Sequence, residues 1–270
     1  MSLTPYPDLN SVLSQFVTSV QAILQDNFIA AYLQGSFAMG DFDEYSDVDW
    51  IILIERDLND VELSALQTMH GRLFDQNIIW AKHLEGSYIP RAMFGQNVVL
   101  GTEAWYLDNG SRQLIRDAHC NDLVVRWVTR EFGIAMAGPE ANTLIQAVHS
   151  EELREEIWGV ICDWGQDILN RREQFRNRFY VSFIVLSFCR MLHSLETARI
   201  HSKKAGAAWA KAWMNPAQCR VIDHALADRG NSAVRVRQRP PQANFERMLQ
   251  FVAEAREIGR KARQNNWQRV

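Results

Sequence analysis

The chain has 270 residues, a formal net charge of −3, and a composition that is 47% hydrophobic and 23% charged. This length is enough for two domains or one large one, and the composition is that of an ordinary globular protein. The slightly negative charge argues against RNA or DNA as a partner, because nucleic-acid binding usually needs a basic surface.

The cysteines and the N-terminus indicate the compartment. Single cysteines lie at Cys120, Cys162, Cys189 and Cys219, so the sequence contains no C-x-x-C metal or redox pair. The N-terminus lacks a charged region before an apolar core, and no apolar run reaches the roughly 18 residues of a membrane span. We therefore expect a reduced cytoplasmic protein without a membrane segment.

The first predicted elements are a helix and a buried strand. Apolar residues follow helical spacing from Leu9 to Leu24, and Phe28 to Leu33 is apolar and of strand length. The strand runs into Gly35 and Ser36, which predict a turn at its end. Gly35 accepts a positive φ at little cost and lets a ligand approach the backbone, while Ser36 adds a hydroxyl.

Two aspartates open the second predicted strand, which runs from Val48 to Ile54. Side chains two apart on a strand point to the same face, so Asp47 and Asp49 lie about 6–7 Å apart along it. Carboxylates this close repel each other unless a cation lies between them, and aspartate oxygens suit Mg²⁺, which also binds substrate phosphates. An isolated D-x-D pair is more often a surface turn. Here the pair, with Ser46 before it, follows the Gly-Ser corner closely, which favours metal-assisted phosphoryl transfer.

Several elements are predicted between this strand and residue 140. We expect a helix capped by Asp60 that ends near Phe74, a third strand from Asn77 to Leu84 that ends at Glu85, and a helix from Asp117 to Phe132. Pro90 to Gly110 is predicted to be irregular. Within it, the aromatic pair beginning at Trp105 either stacks on a sugar or base or fills the seam between domains.

A second, helical domain follows a boundary placed at about 140–152, giving predicted domains 1–150 and 151–270. Amphipathic or apolar stretches predict a helical bundle. The expected helices are 153–168, 179–195, 202–214, 217–227 and a last one from Asn244, as N-cap, to Arg263, with a basic loop from Arg235 to Pro241 before it.

The Gly35-Ser36 corner followed by Ser46, Asp47 and Asp49 resembles the signature of the DNA polymerase β-like nucleotidyltransferase superfamily. The resemblance implies an α+β fold: a mixed sheet with flanking helices, followed by the α-helical bundle. It also implies a third carboxylate on a neighbouring strand, and Glu85 fits by position. Its role would be that of general base toward a hydroxyl attacking the nucleotide α-phosphorus. A lone Glu at a strand end is otherwise a solvated residue, and the zinc-deaminase P-C-x-x-C that would accompany an H-x-E pattern is absent.

Over most of its length the chain also resembles the bacterial streptomycin/spectinomycin adenylyltransferases. The shared segments are Leu33-x-Gly35-Ser36, Ser46-Asp47-Val48-Asp49, Leu84-Glu85, Trp105, Val185 to Arg190 and Ser202 to Ala210. The resemblance implies that ATP and substrate bind in a cleft between the two domains, with Mg²⁺ on Asp47 and Asp49. The implied nucleotide-binding residues are Gly35, Ser36, Ser46, Arg190 and Lys203, and the implied acceptor contacts are Trp105 and Glu85.

One departure from that family concerns the acceptor. Streptomycin-modifying members carry acidic residues and a histidine where this chain has about Tyr180 and Phe183, in an arginine-rich neighbourhood from Arg171 to Arg178. Aminoglycosides are polycations that acidic side chains attract and arginines repel. Either these arginines point to solvent or the acceptor is not streptomycin, and we expect spectinomycin to be the better substrate.

Other functions remain open at this stage. The same chemistry directed at a protein or RNA hydroxyl is a second hypothesis, and a nucleotide-binding module without turnover is a third. The complete set of carboxylates argues against the third, because a pure binder needs no base. The partners we expect are therefore ATP and a small hydroxyl compound, bound by a monomer.

Overall fold

The computed structural model describes residues 2–94, 100–230 and 232–267. The chain divides into two compact units, residues 1–148 and 149–270. The first carries a sheet flanked by helices, and the second is helical. This is the α+β architecture expected from the sequence.

Within the described part of the first unit, six strands form one mixed sheet in the order β5-β4-β3-β2-β1-β6. Their bounds are β1 Phe28–Leu33, β2 Val48–Ile54, β3 Leu84–Pro90, β4 Ala104–Leu107, β5 Leu114–Asp117 and β6 Ile134–Ala137. The α-helices are α1 Pro7–Leu24, α2 Gly35–Ala38, α3 Asp60–Phe74, α4 Leu123–Phe132 and α5 Ala141–Leu144. β2 and β3 run parallel, and the other neighbouring strands pair antiparallel.

The two faces of the sheet belong to different hydrophobic clusters. Val48 and Trp50 of β2 pack in the cluster that contains the apolar stripes of α1 and α3. Ile51 of β2 and Tyr106 of β4 pack in the cluster on the opposite face, together with Ala141. Because strand side chains alternate, Asp49 lies on the same face as Ile51.

The predicted third strand is displaced. Residues Ile79–Lys82 form a 3₁₀ helix, and the strand runs instead from Leu84 to Pro90. The apolar run that suggested a strand buries Trp80 and Ala81 but leaves Ile79 60% exposed, so it follows no strand alternation. Glu85 therefore stands at the beginning of a strand and not at its end.

The segments on either side of residue 110 also differ from prediction. β4 lies inside the segment predicted to be irregular, of which residues 95–99 are outside the described part. The helix predicted from Asp117 begins only at Leu123, and Asp117 itself is the last residue of β5. Asp122 caps α4, and its side chain accepts a hydrogen bond from the Val125 N–H at 2.6 Å.

Two shorter features of the first unit were also missed. All four residues of β6 are half-buried, so its side chains show no alternation of buried and exposed positions that would predict a strand. α3 is capped by Asn59 and not by Asp60, because Asn59 and Glu62 form a reciprocal capping box.

The described helices of the second unit are α6 Ser150–Asn170, α7 Arg178–Thr197, α8 Lys203–Lys211, α9 Pro216–Ala227, α10 Ser232–Arg235 and α11 Gln242–Gln264. α11 begins before Asn244, with Pro241 at its cap position, and α10 extends into the segment predicted as a basic loop. By length and composition α7 could cross a membrane, but 67% of its most apolar window is buried within the protein, as in the core helix of a bundle.

Candidate active site

Three carboxylates meet at one end of the central parallel strand pair. Asp47 directly precedes β2, Asp49 is its second residue, and Glu85 is the second residue of β3. The parallel register pairs Asp49 with Glu85. Neighbouring strands are about 4.8 Å apart and paired residues share a face, so the two side chains stand next to each other.

The backbone of Gly35 packs directly against the Asp49 side chain. Its φ is +63°, and a Cβ at this position would lie 1.9 Å from Asp49 Oδ2. The N–H of Gln34 donates to the Asp49 carbonyl at 2.8 Å, which holds the end of β1 against β2. Gly35 thus adopts the positive φ that glycine tolerates, although Gly35 and Ser36 start the short α2 where a turn was predicted.

Asp47 is held by groups from two loops. Asn109 Nδ2 donates to Asp47 Oδ1, and Asn109 Oδ1 lies 3.1 Å from His83 Nδ1. Ser46 is buried and closes the preceding turn, because its hydroxyl accepts from the Asp43 N–H at 2.8 Å. Its side chain thus shapes the loop that delivers Asp47.

Glu85 has two aromatic neighbours. The Tyr106 hydroxyl donates to Glu85 Oε1 at 2.6 Å and lies 3.1 Å from Asp108 Oδ1. His119 Nε2 lies 3.4 Å from the same Glu85 oxygen. Burial, followed by the charge of Glu85, raises the pKa of Tyr106, so this hydroxyl keeps its proton. The hydrogen bond to Glu85 raises the pKa of His119.

Trp105 does not lie at the carboxylates, contrary to the expectation that it contacts the acceptor. It packs against the cluster on the α1 and α3 face, and the Arg116 guanidinium is 5.2 Å from its ring centroid. Strand alternation turns Tyr106, its neighbour, toward Glu85 instead. Of the aromatic pair singled out in the sequence, the second residue reaches the site.

Arg190 and Lys203 lie in the second unit, on α7 and α8. A Cβ at Gly206 of α8 would be 2.6 Å from the Arg190 Cα, so the two helices approach backbone to backbone. Lys203 Nζ lies 4.2 Å from the ring centroid of Phe183. Phe183 and Arg190 are seven residues apart on α7 and so share a face of the helix.

The donor set fits a magnesium ion that shares its ligands with a substrate. Among the described residues there is no group of three or more His, Cys, Asp or Glu side chains arranged as a metal cage. Mg²⁺ commonly uses one or two carboxylates and completes its shell with phosphate oxygens and water. Asp47 and Asp49 are such a pair, and the missing side chain of Gly35 makes room for the Asp49 carboxylate.

Comparisons with known proteins match two segments of the chain and its fold. Residues 13–85 match the nucleotidyltransferase domain model, and residues 143–255 match the model of the aminoglycoside adenylyltransferase C-terminal domain. The solved structure of spectinomycin adenyltransferase AAD(9) from Enterococcus faecialis, with ATP and spectinomycin, has a similar fold. The two are 12% identical, with a TM-score of 0.69 over 93% of this chain and 98% of that chain. No curated protein sequence matches the chain.

The matched domain models, together with the fold, identify the protein as an enzyme of the nucleotidyltransferase superfamily. Within that superfamily the chain is similar to the aminoglycoside adenylyltransferases, whose C-terminal domain model matches residues 143–255.

Sequence reasoning noted Tyr106 only as the neighbour of Trp105 and missed Asn109 and His119. Tyr106 and Asn109 fall in the segment predicted to be irregular, and His119 is one of several scattered histidines. The signal that pointed to Tyr106 is the alternation Ala104-Trp105-Tyr106-Leu107, which is too short to predict a strand and its two faces.

Proposed function

We propose that the protein transfers AMP from Mg²⁺-bound ATP to a hydroxyl of an aminoglycoside-type antibiotic, releases pyrophosphate, and does so as a cytoplasmic monomer. One observation carries the proposal: Asp49 and Glu85 are register partners at the same edge of the sheet as Asp47 and the Gly35 corner. A metal-binding pair and a separate carboxylate base are what attack of a hydroxyl on a phosphorus atom requires.

The residues have distinct tasks in this reaction. Asp47 and Asp49 would hold Mg²⁺, which when bound neutralises charge on the phosphates and aligns them for in-line attack. Glu85 accepts the proton of the attacking hydroxyl. Asn109 fixes one oxygen of Asp47, and Tyr106 fixes one oxygen of Glu85, so neither carboxylate has to be ordered when substrate arrives.

We assign the triphosphate to backbone and cationic groups. Gly35 permits close approach of the backbone, and Ser36 and Ser46 stand on either side of the loop that leads to Asp47. Arg190 and Lys203 supply a planar fork and a point charge, the two forms in which proteins bind phosphate oxygens.

The beginning of α7 supports a preference for spectinomycin over streptomycin. Where streptomycin-modifying relatives carry acidic residues and a histidine, Tyr180 packs edge-on against Phe175 and Phe183 stacks on Phe179. No carboxylate is offered at these two positions to the guanidinium groups of streptomycin. Spectinomycin has no guanidinium group, so the absence of carboxylates at these positions weakens its binding less.

The nearby arginines contribute less to this preference than their number suggests. Each is paired with a carboxylate, so they present little uncompensated positive charge; the pairs are Arg171–Asp167, Arg172–Glu246, Arg176–Glu173 and Arg178–Asp228. The missing acidic groups, and not repulsion by arginine, carry the argument against streptomycin.

Drug-dependent pyrophosphate release tests the proposal. Purified protein with ATP and Mg²⁺ is expected to release pyrophosphate when spectinomycin is added and to release much less with streptomycin. A susceptibility panel in a host that expresses the protein would name the acceptor independently. Equal turnover of streptomycin would overturn the specificity, and no release with any aminoglycoside would overturn the acceptor class.

A further inference from the structure

His119 lies between the Glu85 carboxylate and solvent. Only 15% of the Glu85 side chain is exposed, whereas 60% of the His119 side chain is. His119 Nε2 is 3.4 Å from Glu85 Oε1, and its ring packs against Tyr106 with centroids 5.0 Å apart. The imidazole therefore touches the carboxylate on one side and water on the other.

We propose that His119 is a positioning residue that acts through Glu85, taking the proton that Glu85 receives from the acceptor and passing it to water. This inference rests on the proposed function. It assigns to His119 a part in the reaction that goes beyond its contacts with Glu85 and Tyr106.

Glu85 and His119 act in sequence on one proton. The acceptor O–H bond breaks as its oxygen bonds to the α-phosphorus, and the bond from that phosphorus to the bridging oxygen breaks with its electron pair leaving on pyrophosphate. The proton moves to the Glu85 carboxylate and from there to Nε2 of neutral His119. The resulting imidazolium releases it to solvent, and Glu85 is again a carboxylate for the next turnover.

Tyr106 cannot accept the proton from Glu85 in place of His119. Its hydroxyl donates to Glu85, and burial and the adjacent charges raise its pKa, so it remains protonated. It fixes the carboxylate, while the imidazole beside it has a nitrogen that can gain and lose a proton near neutral pH.

In the described part of the chain, His119 packs against Tyr106 of β4 and is surrounded by acidic charge. The carboxylates that act on it are Glu85 on β3, Asp117 at the end of β5 and Asp122 at the start of α4. The hydrogen bond to Glu85 and the nearby carboxylates raise the pKa of His119 despite its partial burial. Since only the neutral imidazole accepts a proton, the rate is expected to rise with pH as His119 titrates.

The variants His119→Gln and His119→Ala test the inference, with the steady-state rate of AMP transfer to spectinomycin as the readout, because each further turnover requires Glu85 to have lost its proton. We expect about a tenfold lower rate, KM values for both substrates within about twofold, and loss of the acidic limb of the pH profile. Added imidazole is expected to restore His119→Ala in proportion to its free-base concentration. His149→Gln, at an exposed histidine that makes no cap hydrogen bond, is the control and should match the wild type.

The outcomes separate this inference from the proposed function. An inactive wild type would mean that the function is wrong, and the inference would fall with it. An active wild type whose His119→Gln variant keeps both rate and pH profile would overturn the inference alone. A slower His119→Ala variant that imidazole does not restore would also overturn it, because the role of the residue would then be structural.

Discussion

Asp49 and Glu85 are directly paired residues on two parallel strands, and their carboxyl side chains stand on the same face of the sheet. Like charges this close destabilise each other unless a cation or a proton separates them. The pairing places the base next to the metal-binding pair, which is where an attacking hydroxyl has to lose its proton.

Replacing Glu85 by Gln is expected to remove turnover while MgATP still binds. Glutamine keeps the size of the side chain but does not accept a proton as a carboxylate does. Isothermal titration with ATP and a pyrophosphate-release assay separate the two effects. Glu103→Gln, at an exposed glutamate beside β4, should retain wild-type rates. A Glu85→Gln enzyme within about twofold of the wild-type rate would exclude this residue as the base.

Asp49→Asn and Asp47→Asn are each expected to abolish turnover, because an amide oxygen carries no charge to hold Mg²⁺. Chelation of divalent ions should stop the wild-type reaction, and added Mg²⁺ should restore it. The Asn variants should stay inactive even at high Mg²⁺. Turnover that survives chelation would contradict the assignment of a metal to this pair.

Gly35→Ala is expected to inactivate the enzyme by displacing Asp49. The new Cβ would stand 1.9 Å from Asp49 Oδ2, so the carboxylate must move. Gly40→Ala is a matched control, because Gly40 also has a positive φ, +71°, but a Cβ there meets nothing within 4 Å. Both variants share the conformational cost, about 1–2 kcal/mol. Equal activity of the two would show that the contact with Asp49 is unimportant.

Stability is expected to fall at low pH partly through Glu62. Burial alone would raise the pKa of this carboxyl, but hydrogen bonds from Arg56, the Asn59 N–H and Asn27 together hold it below its usual value. A lowered pKa in the folded state stabilises the fold above the unfolded-state pKa, about 4.3, and this contribution disappears as pH falls through the folded-state value.

Thermal melts between pH 7 and pH 3 measure that contribution. Glu62→Gln should lower Tm at pH 7 and flatten the decline toward acid, whereas Glu103→Gln should follow the wild type. An unchanged slope in Glu62→Gln would assign the acid sensitivity to other groups.

The sequence by itself determined β1, β2, the glycine corner between them and the aspartate pair. These features are local: apolar runs of strand length, a glycine where the first strand ends, and two aspartates at a spacing that places them on one face. Family motifs added Glu85, Arg190 and Lys203, for which neither spacing nor charge pattern was sufficient.

Only the tertiary structure decided the neighbours of those carboxylates. Glu85 proved to begin a strand and to pair with Asp49, and Tyr106, not Trp105, proved to face it. Such contacts depend on strand register and on which face of a four-residue strand is turned inward. A slip of one residue exchanges the faces, and short strands carry too little periodicity to fix the register before the sheet assembles.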